Sequence, residues 1–366
     1  MGRHGIKQIK SNPNNQHNAL VKVGRLPQSK YIVGIGIQGW KQIYQVVLGL
    51  TLGMWVTGCA TTHQPSAQSN QPKVVSTSTI IANWTEAIGG TEIQSIGILQ
   101  PGADPHVYEP TPKDSQSFET AKLILYNGYN LEPGLIRLME SAGSKAKKVA
   151  VGEVVKSLQM TKEGKGTVPD PHVWGDVENA IAMVSRIRDE LIELSPEDKE
   201  VFTRNAASLI QELQQLDQWI SQQIQTIPAK QRQLVTTHDA FQYYAQAYGL
   251  KVAGTLIGIS TEEQPSAQTV KQLVEAIKAT GTPAIFAETT INPTLIQTVS
   301  ESAGVKLAPQ KLYSDSIGAP GSNGDSYIKM MATNTQAIAD ALGGKSTLFM
   351  PKSAEEKAFS TNTPKK

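Results

Sequence analysis

Residues 197–227 contain neither glycine nor proline, and their apolar side chains recur at steps of three, four or seven positions. This periodicity predicts one amphipathic helix, with Ser195 as its N-cap and Pro196 at its first position. A helix over this stretch would extend about 45 Å, which is enough to run from one folded unit to another. The stretch therefore predicts two units joined by one long helix, and two shorter helices separated by a turn are the alternative.

Short apolar segments alternate with helical periods on both sides of this stretch. That alternation is typical of parallel sheets covered by helices. It predicts the fold class α/β, with one parallel-sheet lobe over 73–196, the linking helix over 197–227 and a second parallel-sheet lobe over 228–345. Residues 346–366 are polar and charged, and this composition predicts a disordered tail.

The first 58 residues differ in composition from the rest. They carry seven Lys and Arg residues and no Asp or Glu, and they end in a short apolar run at 46–56. The run is too short for a bilayer span of about 20 residues but suits a signal peptide. The following Val-Thr-Gly-Cys at 56–59 resembles a bacterial lipobox, in which the cysteine is lipidated. We therefore expect a signal peptide over 1–58, a lipid on Cys59, a flexible tether over 59–72 and an exported protein anchored at the bacterial cell envelope. A short buried helix with an inert cysteine is the alternative.

The charge balance of residues 59–366 bears on whether the protein binds nucleic acid. Without its first 58 residues the chain has 27 basic and 32 acidic side chains. Binding to nucleic acid needs clustered Lys and Arg, so this balance argues against it. Cys59 is the only cysteine in the sequence, which excludes internal disulfide bonds and cysteine-rich metal sites.

Residues 73–366, after the predicted tether, contain three histidines, and two of them share a rigid setting. His106 and His172 each lie in an Asp-Pro-His-Val-aromatic unit, in which proline fixes the backbone just before the imidazole. His238 follows the predicted strand 233–236, at the carboxyl end where open α/β sheets bind ligands. Each histidine alone is compatible with a structural role, but three mounted imidazoles predict one shared metal site.

A carboxylate is expected to complete this site. Asp315 lies in a loop after an apolar stretch and is the best candidate, with a role in capping a turn or helix as the alternative. Glu288 lies at another strand end. We expect Glu288 to orient a ligand histidine from outside the coordination sphere or to cap the next helix.

Five motifs occur in order along residues 73–342: GADPHVYEPTPKD at 102–114, NGYNLE at 127–132, DPHVW at 170–174, THDAFQYY at 237–244 and YSDSIG at 313–318. Together they resemble the zinc/manganese solute-binding lipoproteins of bacterial ABC importers. The resemblance implies two α/β lobes joined by a long, rather rigid helix, with one divalent metal ion held in the cleft between them. It places the four ligand positions of the family on His106, His172, His238 and Asp315. It also implies a monomer that carries the metal as transported ligand to the membrane permease of an ABC importer.

The donor set leaves the identity of the metal open. Three nitrogen donors and one carboxylate suit Zn²⁺, whereas Mn²⁺ prefers more oxygen. Zinc-dedicated relatives often carry a histidine-rich loop before the second ligand, but 157–170 contains no histidine. Strongly manganese-selective relatives often have Glu at the position of His238. Zn²⁺ and Mn²⁺ both stay open, and Fe²⁺ is a less favoured third ion.

Two other functions share parts of this pattern. A zinc hydrolase can use three histidines and a carboxylate, but catalytic zinc needs an open position and a general base. No His-Glu-x-x-His pair supplies such a base, so we expect a binding protein and not an enzyme. A surface adhesin, a role attached to lipoproteins of this family, predicts exposed apolar patches.

The arrangement of the predicted ligands has two further consequences. His106 and His172 fall in the first predicted lobe, and His238 and Asp315 fall in the second, so a small movement of the lobes would split the set two and two. Ligand histidines must be neutral, and their ordinary pKa near 6.5 predicts weaker metal binding below about pH 6.

Overall fold

The computed structural model describes residues 71–142, 145–162 and 166–351. The predicted signal peptide, Cys59 with its predicted lipid, the predicted tether up to residue 70 and residues 352–366 of the predicted tail lie outside these described residues. Within the described ranges, every helix is too short or too polar to span a bilayer.

The first lobe is built on a four-stranded parallel sheet with strand order β2-β1-β3-β4. Its strands are β1 (Lys73–Ser76), β2 (Gln94–Gly97), β3 (Leu123–Tyr126) and β4 (Lys147–Ala150), and an antiparallel pair, β5 (Gln159–Lys162) and β6 (Gly166–Pro169), follows them. The helices are α1 (Thr79–Gly89), α2 (Pro112–Thr120), α3 (Pro133–Ala142) and α4 (Val177–Leu194). Successive strand residues point to opposite faces. Val74 therefore packs in one core with α1 and α4, and Val75 packs in a second core with α2 and α3.

The linking helix, α5 (Lys199–Gln225), is 27 residues long, about 40 Å by its rise. The predicted bounds, 197–227, are wrong by two residues at each end, because Pro196–Asp198 forms a separate 3₁₀ turn and the helix ends at the C-cap Thr226. Its N-cap is Asp198 and not Ser195. The hydroxyl of Ser195 donates to Asp198 Oδ2 at 2.6 Å and closes that turn. The alternative of two helices with a turn between them is wrong, because α5 is continuous.

The second lobe contains two parallel strand pairs joined by one backbone hydrogen bond. The pairs are β7 (Gln233–Thr236) with β8 (Lys251–Thr255), and β9 (Ala284–Ile285) with β10 (Lys306–Leu307). Phe286 N–H donates to Val235 O at 2.9 Å and joins the pairs. The helices are α6 (Gln242–Tyr248), α7 (Ala267–Thr280), α8 (Thr294–Ala303) and α9 (Tyr327–Ala341).

One hydrophobic core extends through both lobes. Trp84 of α1, Leu216 of α5 and Tyr327 of α9 all belong to it, and α5 packs against α1, α4 and α9. Both lobes lie in one compact unit. The predicted class, two α/β parallel-sheet lobes with one long helix between them, is confirmed.

The first six residues of the predicted tail, 346–351, are ordered in a way that their polar composition did not indicate. Thr347 N–H donates to Gln223 Oε1 at 2.9 Å, and the ring of Phe349 lies 5.5 Å from that of Trp219 on α5. The predicted boundary at 346 is therefore wrong for this segment, because it packs on the folded body.

Candidate metal centre

The four side chains predicted to bind metal lie together at the meeting of the two lobes. One ligand atom of each lies within 4.8 Å of the others. All four are buried, and the three imidazole centroids are 5.3, 5.3 and 5.9 Å apart. The first lobe supplies His106 and His172, and the second supplies His238 and Asp315.

His106 lies in the loop between β2 and α2. Asp104 Oδ1 accepts a hydrogen bond from the backbone N–H of His106 at 2.9 Å, and Pro105 restricts the backbone between them. His106 Nε2 lies 3.2 Å from His172 Nε2. The two rings therefore present the same nitrogen to a common centre.

His172 follows β6 in the second Asp-Pro-His unit. Asp170 Oδ1 accepts from the His172 backbone N–H at 3.0 Å and lies 2.7 Å from its Nδ1. A carboxylate at Nδ1 keeps the proton on that nitrogen and leaves Nε2 for a metal. This role of Asp170 was not predicted from the sequence, although an aspartate two residues before the histidine was a visible signal for it.

His238 lies two residues beyond β7 and is held by Glu288, which lies three residues beyond β9. Glu288 Oε1 accepts from the His238 backbone N–H at 2.8 Å, and its Oε2 contacts His238 Nδ1. Glu288 thus contacts the imidazole that it was expected to orient. The alternative role, at the start of α8, is filled by Asn292, whose Oδ1 accepts from Thr294 N–H at 3.0 Å.

Asp315 supplies the only carboxylate among the four clustered side chains. Its Oδ2 lies 3.2 Å from His238 Nε2, and its Oδ1 lies 3.4 Å from His172 Nε2. Neither oxygen accepts a well-aligned hydrogen bond from the residues that the structure describes, and both are buried. A buried carboxylate left in this state is costly, and a cation at this point satisfies it.

The electrostatics of the centre favour a bound cation. Burial lowers the pKa of His238, but the carboxylates of Glu288 and Asp315 outweigh burial and hold that pKa well above its ordinary value. Burial raises the pKa of Asp315, but the imidazoles around it, His238 above all, outweigh burial and lower the net pKa. The ionised form of Asp315 is therefore favoured, and its negative charge lies where a cation would be bound.

A cavity of about 490 Å³ lies beside the centre. His106 and Tyr129 line it from the first lobe, and Ile259 and Ser260 line it from the second. Of the four clustered side chains, His106 is the one that borders this cavity.

The NGYNLE motif supports the loop that carries His172. Asn127 Nδ2 donates to Pro171 O at 2.9 Å. The buried Glu132 Oε1 accepts from Asn127 N–H at 2.8 Å and from the Thr77 hydroxyl at 2.7 Å. In the sequence this motif contributed only to the family resemblance. Its structural role, the support of the loop that carries His172, is visible only in the folded chain.

Comparisons with known proteins identify metal-binding relatives of this chain. The family model described as ZnuA, zinc-uptake complex component A periplasmic, matches residues 74–341. The chain is 33% identical over 294 residues to the manganese-binding lipoprotein MntA of Halalkalibacterium halodurans, a match that covers 80% of this chain and 96% of that protein. It is 32% identical over 309 residues to the manganese ABC transporter substrate-binding lipoprotein PsaA of Streptococcus pneumoniae, covering 82% and 99%.

A solved structure shares the fold. The periplasmic zinc-binding protein TroA of Treponema pallidum superposes with a TM-score of 0.70 at 32% identity, covering 74% of this chain and 99% of that one. The family model spans both lobes and the helix between them. On the strength of this match and of the relatives' identity over nearly their full length, the chain belongs to the ZnuA family of periplasmic metal-uptake components.

Proposed function

We propose that this chain captures one Zn²⁺ or Mn²⁺ ion outside the cytoplasm and delivers it to the membrane permease of an ABC importer. The observation that carries the proposal is the buried set of three imidazoles and one carboxylate with unsatisfied oxygens. The ligands are His106, His172 and His238 through Nε2 and Asp315 through its carboxylate. Relatives named for manganese and for zinc support a metal cargo of this class.

The donor chemistry is compatible with both ions. Three imidazole nitrogens favour Zn²⁺ over Mn²⁺ in intrinsic affinity, whereas several similar lipoproteins are named for manganese. The two ions therefore compete for the centre. Which of them is bound depends on the concentration of each ion outside the cell as well as on the affinity for it.

The proposed centre is that of a carrier rather than an enzyme. All four ligands proposed for the centre belong to the protein, and the two additional carboxylates that contact ligand imidazoles, Asp170 and Glu288, are both engaged in those contacts. Both oxygens of Glu288 are occupied by His238. We further infer that the protein acts as a monomer held to the membrane by a lipid on Cys59.

Metal content and affinity test the proposal. The protein, purified without chelators, is analysed for bound metal and then titrated with Zn²⁺ and Mn²⁺ against a competing chelator. His106→Ala, His172→Ala, His238→Ala and Asp315→Asn should each weaken binding more than tenfold, a loss above about 1.4 kcal/mol. Asp325→Asn is the matched control, because Asp325 pairs with Lys329 at 2.8 Å and is not among the four clustered side chains.

The proposal is supported if the parent binds one equivalent of metal and only the four ligand variants lose affinity for it. A parent that binds neither ion, or an Asp325→Asn loss equal to that of Asp315→Asn, contradicts it.

A further inference from the structure

The loop that carries Asp315, residues 312–318, belongs to the second lobe in sequence but is bound to the first lobe around its tip. Ser314 O accepts from the indole Nε1–H of Trp174 at 3.1 Å. On the other side of Asp315, Gly102 N–H donates to Ser316 Oγ at 2.8 Å and approaches Ile317 O at 3.2 Å. Both neighbours of Asp315 are therefore fixed by groups of the first lobe.

Two buried hydroxyls lie at the centre of this attachment. Thr79 Oγ1, on the first residue of α1, lies 3.1 Å from Ser316 Oγ. The same Thr79 oxygen accepts from Ile317 N–H at 3.1 Å. Thr79 is 4% exposed and Ser316 is fully buried, so water does not replace either partner. We call Thr79 and Ser316 the hydroxyl pair.

The attachment of the same loop to its own lobe lies further from Asp315. Leu312 N–H donates to Ala287 O at 2.9 Å, three residues before the ligand. Tyr313 is held on both backbone groups by Asn334 of α9, and α9 itself packs on α5 and α1. Near Asp315, the second lobe contributes the contact of Thr290 Oγ1 with Ser314 Oγ at 3.3 Å.

These contacts argue against the expectation that lobe movement splits the ligands two and two. Asp315 is supplied by the second lobe but is anchored on the first, beside His106 and His172. Separating the lobes would have to break the hydroxyl pair before the carboxylate left the metal.

We propose that Thr79 and Ser316 are positioning residues that hold the Asp315 carboxylate in the metal centre and set the rate at which the metal is released. This inference rests on the proposed function of the same centre. Without the hydroxyl pair, Gly102 and Ile317 lose hydrogen-bond acceptors and the loop is free to withdraw Asp315, so the bound metal dissociates sooner.

Four single variants test the role of the hydroxyl pair. Thr79→Val keeps the shape of the side chain and removes the hydroxyl, Ser316→Ala removes the partner, and Thr79→Ser restores the hydroxyl. Thr85→Val is the matched control, because Thr85 is a fully buried threonine of the same helix whose hydroxyl accepts from Ser76 Oγ at 3.2 Å, inside the first lobe. The probe is Zn²⁺, and its dissociation from the mature protein into excess chelator is followed by stopped flow.

We expect Thr79→Val and Ser316→Ala each to release Zn²⁺ about tenfold faster than the parent, as loss of a buried hydrogen bond would cause. Thr79→Ser and Thr85→Val should stay within about twofold of the parent. The double variant should release no faster than the faster single variant, because the two hydroxyls act as one unit. The visible absorption of bound Co²⁺, which reports ligand number and geometry, should change in Thr79→Val and return in Thr79→Ser.

Thermal unfolding of the metal-free variants separates a positioning effect from a loss of overall stability. If Thr79→Val does not fold, Ser316→Ala provides the test. Parental release rates in both Thr79→Val and Ser316→Ala overturn the inference, and so does equally fast release from Thr85→Val. In either case the proposed function stands as long as Asp315→Asn still weakens binding. A parent without metal affinity removes the proposed function itself.

Discussion

Asp170 and Glu288 serve two different histidines in the same way. Each carboxylate engages both the backbone N–H and the Nδ1 of its histidine. This double contact fixes the ring rotation and the tautomer together, so that Nε2 is ready for a metal before one arrives.

Removing either orienting carboxylate should weaken metal binding without removing a ligand. We expect Asp170→Asn and Glu288→Gln each to lower the affinity for Zn²⁺ by about 10- to 100-fold. The control is Glu190→Gln, a buried carboxylate that pairs with Lys147 and Arg186. Chelator competition measures all three, and an affinity loss in Glu190→Gln equal to the others would show that burial of a carboxylate, rather than orientation, sets the effect.

The raised pKa of His238 determines how metal affinity depends on pH. A histidine binds metal only in its neutral form, so below its pKa the metal must displace a proton. Glu288 and Asp315 hold the pKa of His238 above its ordinary value. As the pH is lowered, the metal affinity should therefore begin to fall while the pH is still above 6.5. The ordinary pKa predicts that this fall begins only below about pH 6.

Titration of the dissociation constant between about pH 5.5 and 8.5 measures this onset. In Glu288→Gln the onset should move to lower pH, because one of the carboxylates that raise the pKa is gone. An onset that is the same in parent and Glu288→Gln would contradict the assignment.

The donor at position 238 should influence which metal is preferred. His238→Glu replaces nitrogen by oxygen and should lower the ratio of Zn²⁺ to Mn²⁺ affinity. The carboxylate of Glu288 would then face the new carboxylate at position 238. The comparison therefore uses the double variant His238→Glu with Glu288→Gln, because the introduced amide can donate a hydrogen bond to the new carboxylate. Competition titration at one pH gives the ratio, and a ratio that is unchanged or shifted towards zinc would exclude His238 as a determinant of selectivity.

At the scale of residues, the sequence predicts which side chains can bind a metal better than it predicts which side chains contact each other. The three histidines and Asp315 could be picked out because their residue types and strand-end positions restrict what they can do. Thr79 and Ser316 could not be paired, because a threonine and a serine 237 positions apart carry no pattern that links them. Their contact exists only once both lobes have folded.

Among the elements, residues 346–351 illustrate how packing overrides composition. This segment crosses α5 and α9, where Trp219 Nε1–H donates to Thr347 Oγ1 at 3.2 Å and Gln336 Nε2–H donates to Thr347 O at 3.0 Å. One aromatic side chain, Phe349, gives the segment enough apolar contact to stay on the helices.

Two adjacent residues of this segment allow a matched stability test. Phe349 is half-buried against Trp219, whereas Leu348 is 76% exposed. We expect Phe349→Ala to lower the free energy of unfolding by about 1–2 kcal/mol, less than a fully buried Phe, and Leu348→Ala to change it by less than about 0.5 kcal/mol. Urea unfolding of the metal-free protein measures both, and equal effects would mean that the segment does not pack in solution.

The elements also show where periodicity reaches its limit. Short apolar runs bounded by Gly and polar residues predict the strands before and after α5, because such runs suit a buried parallel strand and are too short for a helix. Helices α2 and α4 were not predicted, although the apolar residues of α4 recur at steps of three and four positions. The signal for α2 was the capping box of Thr111 and Asp114, and the signal for α4 was its N-cap Asp176.

For the whole molecule, the mode of attachment to the membrane is tested at Cys59. A lipid thioether needs the sulfur atom, so Cys59→Ser should move the protein from the membrane fraction to the soluble extracytoplasmic fraction while its metal affinity stays the same. Thr62→Ser, three positions later, is the control and should stay with the membrane. Retention of Cys59→Ser after a high-salt wash would show that another contact anchors the protein.

The shared core of α1, α5 and α9 has a consequence for survival outside the cell. Because one set of apolar contacts links both lobes, neither lobe can melt by itself without exposing the interior of the other. Binding energy gained at one small centre is therefore spread over the entire fold, by mass action on a single cooperative transition. We therefore expect bound metal to slow proteolysis within both lobes, so that scarcity of metal shortens the lifetime of the carrier itself.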